Sequence, residues 1–213
     1  MRAALLSHSL SIVQEMLSVE VAPWIVGEVL RADATEKSAY LLGASRDGYL
    51  HPRHHTLRIS QRNRDWLILL QDLISSLGRR SWLYQETGRE VWTLETGYLP
   101  PRLPSPSSKR QATGFARGYF DSEGGVPRSA SARFYIQFAQ KNLEDLSFLR
   151  HRLEDLGVRC GRIHNPSARV DPDYWRLFIA AESHLQFING ISSWHPTKRV
   201  LLMERGRTQL QSA

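Results

Sequence analysis

Two segments of this 213-residue chain repeat one another at fixed spacing, and that repetition constrains the fold more than any other feature. Leu57-Arg58-Ile59-Ser60-Gln61-Arg62-Asn63 leads into an apolar helical pattern ending at Leu77-Gly78. Ile136-Gln137-Phe138-Ala139-Gln140-Lys141-Asn142 leads into another ending at Leu156-Gly157. From glutamine to glycine the interval is 17 positions in both copies (78 − 61 and 157 − 140). Upstream, each copy has a helical pattern closing on an acid and a glycine, Asp47-Gly48 after Ser38 and Glu123-Gly124 after Gly114. Downstream come paired strand candidates, Trp82–Gln85 with Glu90–Thr96 and Val158–His164 with Asp173–Ala180. With the strand-like residues Tyr49–His51 and Thr56–Ser60, each repeat reads helix, strand, strand, helix, strand, strand. The expected fold class is α+β, two pseudo-symmetric αββαββ(α) repeats with antiparallel sheets.

The rest of the chain divides around these copies. Residues 1–36 read as an N-terminal helical extension, with helices near Ser9–Ser18 and Ala22–Arg31; 37–98 form the first repeat and 111–213 the second. Residues 99–110, rich in proline and serine, can continue neither helix nor sheet and read as a linker. Alternation is clearest from Arg133 to Gln140, where Phe134, Ile136 and Phe138 point to the core, opposite Arg133, Tyr135 and Gln137. A helix over Glu182–Ile191 and a basic tail around His195–Arg199 close the second copy. The first copy lacks such a helix, and the N-terminal extension is expected to pack in its place.

One local feature is physically odd. Glu123 sits on the last turn of its helix, where the partial negative charge of the helix end disfavours a carboxylate. A second acid beside it would deepen the repulsion, and a divalent cation between the two would offset it. The whole-chain balance of 28 Lys+Arg against 21 Asp+Glu gives +7 and suits a nucleic-acid or other anionic partner. Cys160, the single cysteine, excludes an internal disulfide, and neither thiols nor histidines stand at zinc-ligand spacing. The opening apolar run, Met1 to Leu6, is too short for a signal peptide or a membrane span, so the expectation is a soluble, intracellular protein with no membrane partner.

Together these residues resemble the LAGLIDADG homing endonucleases of the single-chain, two-motif type. Ala116-Arg117-Gly118-Tyr119-Phe120-Asp121-Ser122-Glu123-Gly124 matches the motif well. Leu41-Leu42-Gly43-Ala44-Ser45-Arg46-Asp47-Gly48 is a degenerate copy whose glycine is one residue closer to its acid. The resemblance covers about residues 38 to 202. It implies that the motif helices pack at the centre through Gly43, Ala44, Gly114 and Gly118, and that the sheets form a DNA-binding saddle. It implies that Asp47 and Glu123 bind Mg²⁺, with Mn²⁺ or Ca²⁺ able to substitute structurally. It puts Gln137, and Arg58 in the first copy, at the position that orients the attacking water; Lys198, and more weakly Lys109, would assist the transition state. Base and phosphate contacts would come from His54, Thr56, Arg58, Arg128, Arg133, Tyr135, Arg162, His164 and Arg176. The implied protein is a monomeric endonuclease of double-stranded DNA with a long, near-asymmetric target.

Plainer readings stand beside these. Asp-Gly is ordinarily a turn, and Asp121 more simply caps or solvates its helix end. His51, His54 and His55 read as strand-face or loop histidines, and the tryptophans as core or sheet-edge residues. Rival functions on the same scaffold are an RNA maturase acting on host intron RNA, a nickase, and a DNA-binding regulator that does not cut.

Overall fold

The computed structural model describes residues 23–100, 107–129 and 131–211. The expected helix Ser9–Ser18 and half of the linker, residues 101–106, lie outside them. Two compact units emerge, and the first motif helix clusters with the second repeat: one unit holds the described residues up to Ala34 with Gly48–Leu99, the other Thr35–Asp47 with the described residues from Pro100 onward.

The first unit contains α1 (Pro23–Arg31), β1 (Tyr49–His51), β2 (Thr56–Gln61), α3 (Arg64–Ser76), β3 (Ser81–Gln85) and β4 (Trp92–Thr96). Its four strands pair antiparallel in the order β1-β2-β4-β3. Helix α3 begins where Asn63 Oδ1 accepts the Trp66 N–H at 2.8 Å and ends at Gly78, whose φ of +71° suits a residue without Cβ. Its apolar face, with Trp66, Leu70 and Leu73 buried, packs on one side of the sheet, where Leu57, Ile59 and Leu94 are also buried. The opposite side carries Tyr49, Arg58, Trp82 and Glu95. Ile25 of α1 is fully buried in this unit.

The second unit contains α2 (Ala34–Ala44), a 3₁₀ turn (Ser45–Asp47), α4 (Lys109–Glu123), β5 (Gly124–Gly125), β6 (Gln137–Gln140), α5 (Leu143–Asp155) and β7 (Trp175–Phe178). A further helical stretch follows, a 3₁₀ turn over Ala181–Ser183, α6 (His184–Gln186) and a π turn over Phe187–Ile191, and then α7 (Pro196–Gln211). The sheet is antiparallel in the order β5-β6-β7. Asn142 caps α5 as Asn63 caps α3, and Gly157, at φ +81°, ends it as Gly78 ends α3. The shared interval in the sequence therefore spans a 13-residue helix held between an asparagine cap and a left-handed glycine in both copies.

Two expectations need correction. Val158–His164 does not form a continuous strand; it touches the sheet at Cys160↔Ile179 and His164↔Arg176. The segment spends four residues where its partner spends three, so a bulge interrupts the pairing near Gly161. The basic tail is instead the first turn of α7: Pro196 takes the first helical position, where its missing N–H costs nothing, and His195 Nδ1 accepts the Lys198 N–H at 3.4 Å.

Helices α2 and α4 meet backbone to backbone. A Cβ on Gly118 would lie 2.0 Å from the Tyr40 carbonyl oxygen, and one on Gly43 would lie 2.2 Å from that of Phe115. Neither backbone can yield without separating the helices, whose flanks are fixed by the buried cluster of Leu42, Phe115, Tyr119 and Phe120. Among the described residues no helix is long and apolar enough to cross a membrane. Gly118→Ala is expected to destabilise the protein by about 3 kcal/mol or more and to lower Tm by roughly 6–12 °C, measured by calorimetry. Ala44→Gly, a change without overlap, should cost only about 1 kcal/mol.

Candidate metal and nucleic-acid site

The backbone contact between α2 and α4 carries a set of polar links along its length. Arg117 Nη1 meets Glu36 Oε1 at 3.1 Å while its Nε donates to the Ile191 carbonyl at 2.6 Å and its guanidinium covers the Trp194 ring. Further along, Tyr40 donates to Asp121 Oδ2 at 2.7 Å, and Ser122 Oγ reaches the Gly43 carbonyl at 3.3 Å. Beyond these links both helices end on an acid, Asp47 and Glu123.

The two motifs reach that end differently. Five α-helical residues separate Gly118 from Glu123, a rise of about 7.5 Å. Only four separate Gly43 from Asp47, but three of them form the tighter 3₁₀ turn, in which each rises about 2.0 Å, so the total is again about 7.5 Å. The overwound turn thus recovers the length that the degenerate motif lacks. Asp47 lies within electrostatic reach of Glu123, which is pushed up to about 7, first by burial and then by the negative charge of Asp47, against opposing effects of Gln140 and Lys198.

Gln140 is the glutamine at this carboxylate. Its Nε2 donates to Glu123 Oε1 at 3.0 Å, and its Oε1 accepts the Lys141 N–H at 2.7 Å, which fixes the orientation of the amide. Gln137, expected to orient the attacking water, begins β6 opposite Gly125 and Phe178 on the sheet. The signal for Gln140 was present, since Gln140 and Gln61 mark the start of the 17-residue interval in the two copies.

Lys198 explains the acid on the helix end. Its ammonium donates to the carbonyls of Phe120 at 3.0 Å, Asp121 at 2.8 Å and Ser122 at 3.4 Å, so its three protons occupy the open C-terminal turn of α4. The cation offsets the partial charge that disfavours Glu123. Burial lowers Lys198 to about 8, while Asp121, Glu123 and Asp47 favour its charged form.

Asp121 neither caps the helix nor meets solvent. It is buried, accepting from Tyr40 and from the Trp194 and His195 N–H groups at 2.8 and 3.0 Å, and from the Ser193 hydroxyl. Burial shifts its carboxyl upward and these donors oppose the shift. His195 beside it is also buried, and desolvation first, then Lys198, lower it to about 3, so it stays neutral.

The remaining candidates are spread over both units. In the second, Tyr135, Gln137, His164 and Arg176 share a sheet face with Phe178, on which His164 stacks; Arg176 donates to Tyr174 Oη at 3.1 Å. Arg128, Arg133 and Arg162 are exposed around it. Lys109 stands at the opposite end of α4 from Glu123, about 21 Å along the axis, too far to assist there. In the first unit Arg58 pairs with Glu95 at 3.1 Å, Thr56 donates to the same oxygen at 2.6 Å, and His54 lies in the exposed β1–β2 turn. Among the described residues no group of three His, Cys, Asp or Glu could hold a metal ion. What would suit a hard cation is the pair of carboxylates, since burial first and the charge of Asp47 second raise Glu123, and a divalent ion there would offset both.

Fold and site define an α+β protein in which two abutting helices deliver a pair of acids. Residues 110–192 match the LAGLIDADG-like domain, and the chain has the fold of solved LAGLIDADG structures. No curated protein matches it in sequence. Among solved structures, I-DmoI in complex with DNA and Mn is similar with a TM-score of 0.56 and 20% identity, over 75% of this chain and 97% of that one. Full-length DUF199/WhiA from Thermatoga maritima is similar with a TM-score of 0.68 and 18% identity, over 89% of this chain and 66% of that one. The N-terminal LAGLIDADG domain of DUF199/WhiA gives 0.62 and 18%, over 86% and 89%. At these identities the likeness is one of fold.

Because Glu123 binds a proton more tightly folded than unfolded, its own contribution to metal-free stability should fall as pH rises from about 4.5 to about 7 and level off above, against the opposite contribution of His195, whose lowered value adds stability up to about 6.5. Glu123→Gln removes that loss. Thermal melts in EDTA should show the variant at or above wild type at pH 8, with the advantage absent at pH 5.

Proposed function

We propose that this protein is a site-specific endonuclease of double-stranded DNA that hydrolyses phosphodiester bonds with a divalent cation, Mg²⁺, held by Asp47 and Glu123. What supports this reading is Glu123, raised to about 7 by burial and then by the charge of Asp47, at the end of two motifs of matched length. I-DmoI, of the same fold, has been solved in complex with DNA and Mn and with DNA and Ca. A divalent cation there would supply Lewis-acid stabilisation of the phosphate and a more acidic bound water. The chain's own residues do the positioning. Gln140 fixes one oxygen of Glu123, Lys198 holds the turn that carries it, and Asp121 anchors that turn to residues 193–195. The face bearing Tyr135, Gln137, His164 and Arg176, edged by Arg128, Arg133 and Arg162, would read the duplex, the guanidiniums contacting guanine edges or phosphates. The protein would act as an intracellular monomer.

A non-cutting DNA-binding protein is the second reading, favoured by the engagement of all three Lys198 protons with backbone carbonyls. Selection from a duplex library, followed by incubation with Mg²⁺, separates the two. Cleavage should occur at one selected sequence, and Asp47→Asn or Glu123→Gln should reduce it by 10³-fold or more while leaving binding intact; binding without cleavage would establish the second reading, and cleavage indifferent to both changes would reject the site.

A further inference from the structure

The polar links between α2 and α4 stop at Gly43, and the 3₁₀ turn that carries Asp47 begins two residues later. A three-residue turn of this kind at a helix end holds poorly by itself, because its hydrogen bonds are few and badly aligned. A hold from outside the turn therefore decides where Asp47 sits. Ser45 Oγ donates to the Leu42 carbonyl at 2.7 Å, which stays within the same stretch of chain. Arg46 reaches out of it. Its Nη1 lies 3.1 Å from each carboxylate oxygen of Asp145, in the first turn of α5, and its guanidinium lies 5.8 Å from the centre of the Phe115 ring on α4.

Both anchors are set independently of Arg46. Asn142 Oδ1 accepts the Asp145 N–H at 3.1 Å, so Asp145 belongs to a capped helix start whose partial positive charge favours its carboxylate. Phe115 packs edge-on against Phe148 of the same helix, with ring centroids 5.4 Å apart. The pair is also one-sided. Counted back from the terminal acids, Arg46 corresponds to Ser122, and counted from the two capping asparagines, Asp145 corresponds to Trp66. Those two residues cannot form an ion pair, so the clamp belongs to the half whose motif is one residue short.

The clamp also lies close to the other acid. Phe115, Tyr119 and Glu123 stand four residues apart and share one face of α4. Arg46 covers the first of them, and Tyr119 is fully buried. Burial first, and then the charges of Asp145 and Glu123, raise the Tyr119 hydroxyl, while Gln140 and Arg46 oppose the rise. One buried phenol thus feels both the Arg46–Asp145 pair and Glu123.

We propose that Arg46 is a positioning residue acting through Asp47: its ion pair with Asp145 and its contact with Phe115 lock the 3₁₀ turn, so that Asp47 is held toward Glu123 despite the shortened motif. Its part in catalysis rests on the reading of Asp47 and Glu123 as the pair that holds a cation.

Carbon-13 NMR of the glutamate side-chain carboxyls in metal-free, full-length protein tests this, because loss of a cation and loss of a position act with opposite signs. Removing the Arg46 charge alone would leave the Glu123 midpoint near 7 or raise it, whereas letting Asp47 swing away would lower it. Arg46→Ala should lower the midpoint by about half a pH unit or more, Arg46→Lys should keep most of the wild-type value, and Arg46→Ala added to Asp47→Asn should change nothing further. Asp145→Asn, which leaves the Asn142 cap in place, should also lower the midpoint, and its effect should shrink in the Arg46→Ala background. Where Arg46→Ala does not fold, Arg46→Gln takes its place with the same expectations. A midpoint unchanged or raised in the folded variant, or one that falls as far in the Asp47→Asn background, would overturn the proposal. Neither metal nor DNA enters the measurement, so a lowered midpoint together with no cleavage by wild type would leave the role of Arg46 standing and reject the endonuclease reading.

Discussion

Everything in the second unit depends on how closely α2 approaches α4. Side chains at Gly43 or Gly118 would hold the helices apart, because the atoms in the way are backbone carbonyls and amides. With hydrogen at both positions, the polar groups of each helix come within reach of the other. Arg117 then finds Glu36, Tyr40 finds Asp121, and Ser122 finds the Gly43 carbonyl. Such buried links add little net stability, but leaving any one of them half-made is costly, so they specify the register of the two helices. Register is what decides whether Asp47 and Glu123 end side by side.

A second constraint acts at the helix end itself. An acid at a C-terminus, buried and beside another acid, opposes folding three ways. The chain offsets this from far away in sequence: residues 193–195 close around Asp121, and the α7 that follows delivers Lys198 to the last carbonyls of α4. Burial leaves Lys198 near 8 and Glu123 near 7, so the site is balanced around neutral pH with its charges only partly compensated. A preorganised pair of carboxylates short of one positive charge is the electrostatic form of a cation site.

Much of this was legible in the sequence because its signals are local. Asn63 and Asn142, Gly78 and Gly157, and the alternation of Phe134, Ile136 and Phe138 each report a cap, a left-handed turn or a sheet face that nearby residues settle. The equivalent positions of Asp47 and Glu123, each closing a helical segment, were legible through the repeat. What escaped were features set by tertiary contact. The burial of Asp121 needs residues 193–195, and the capping role of Lys198 needs α7 to start at Pro196. A lost residue in the first motif reads as a defect until the 3₁₀ turn Ser45–Asp47 is seen to restore the length. Gln137 and Gln140 alternate in a strand, and sequence spacing alone did not say which one faces the acid; the hydrogen bond to Glu123 does.

The central claim is that Asp47 and Glu123 share one electrostatic site despite their unequal motifs. Carbon-13 NMR of the glutamate side-chain carboxyls, titrated without divalent metal in wild type and in Asp47→Asn, tests it most directly. The account predicts one glutamate midpoint near pH 7 in wild type that moves clearly lower once the neighbouring charge is removed. A Glu123 midpoint near the usual carboxylate range, or one identical in the two proteins, would contradict it.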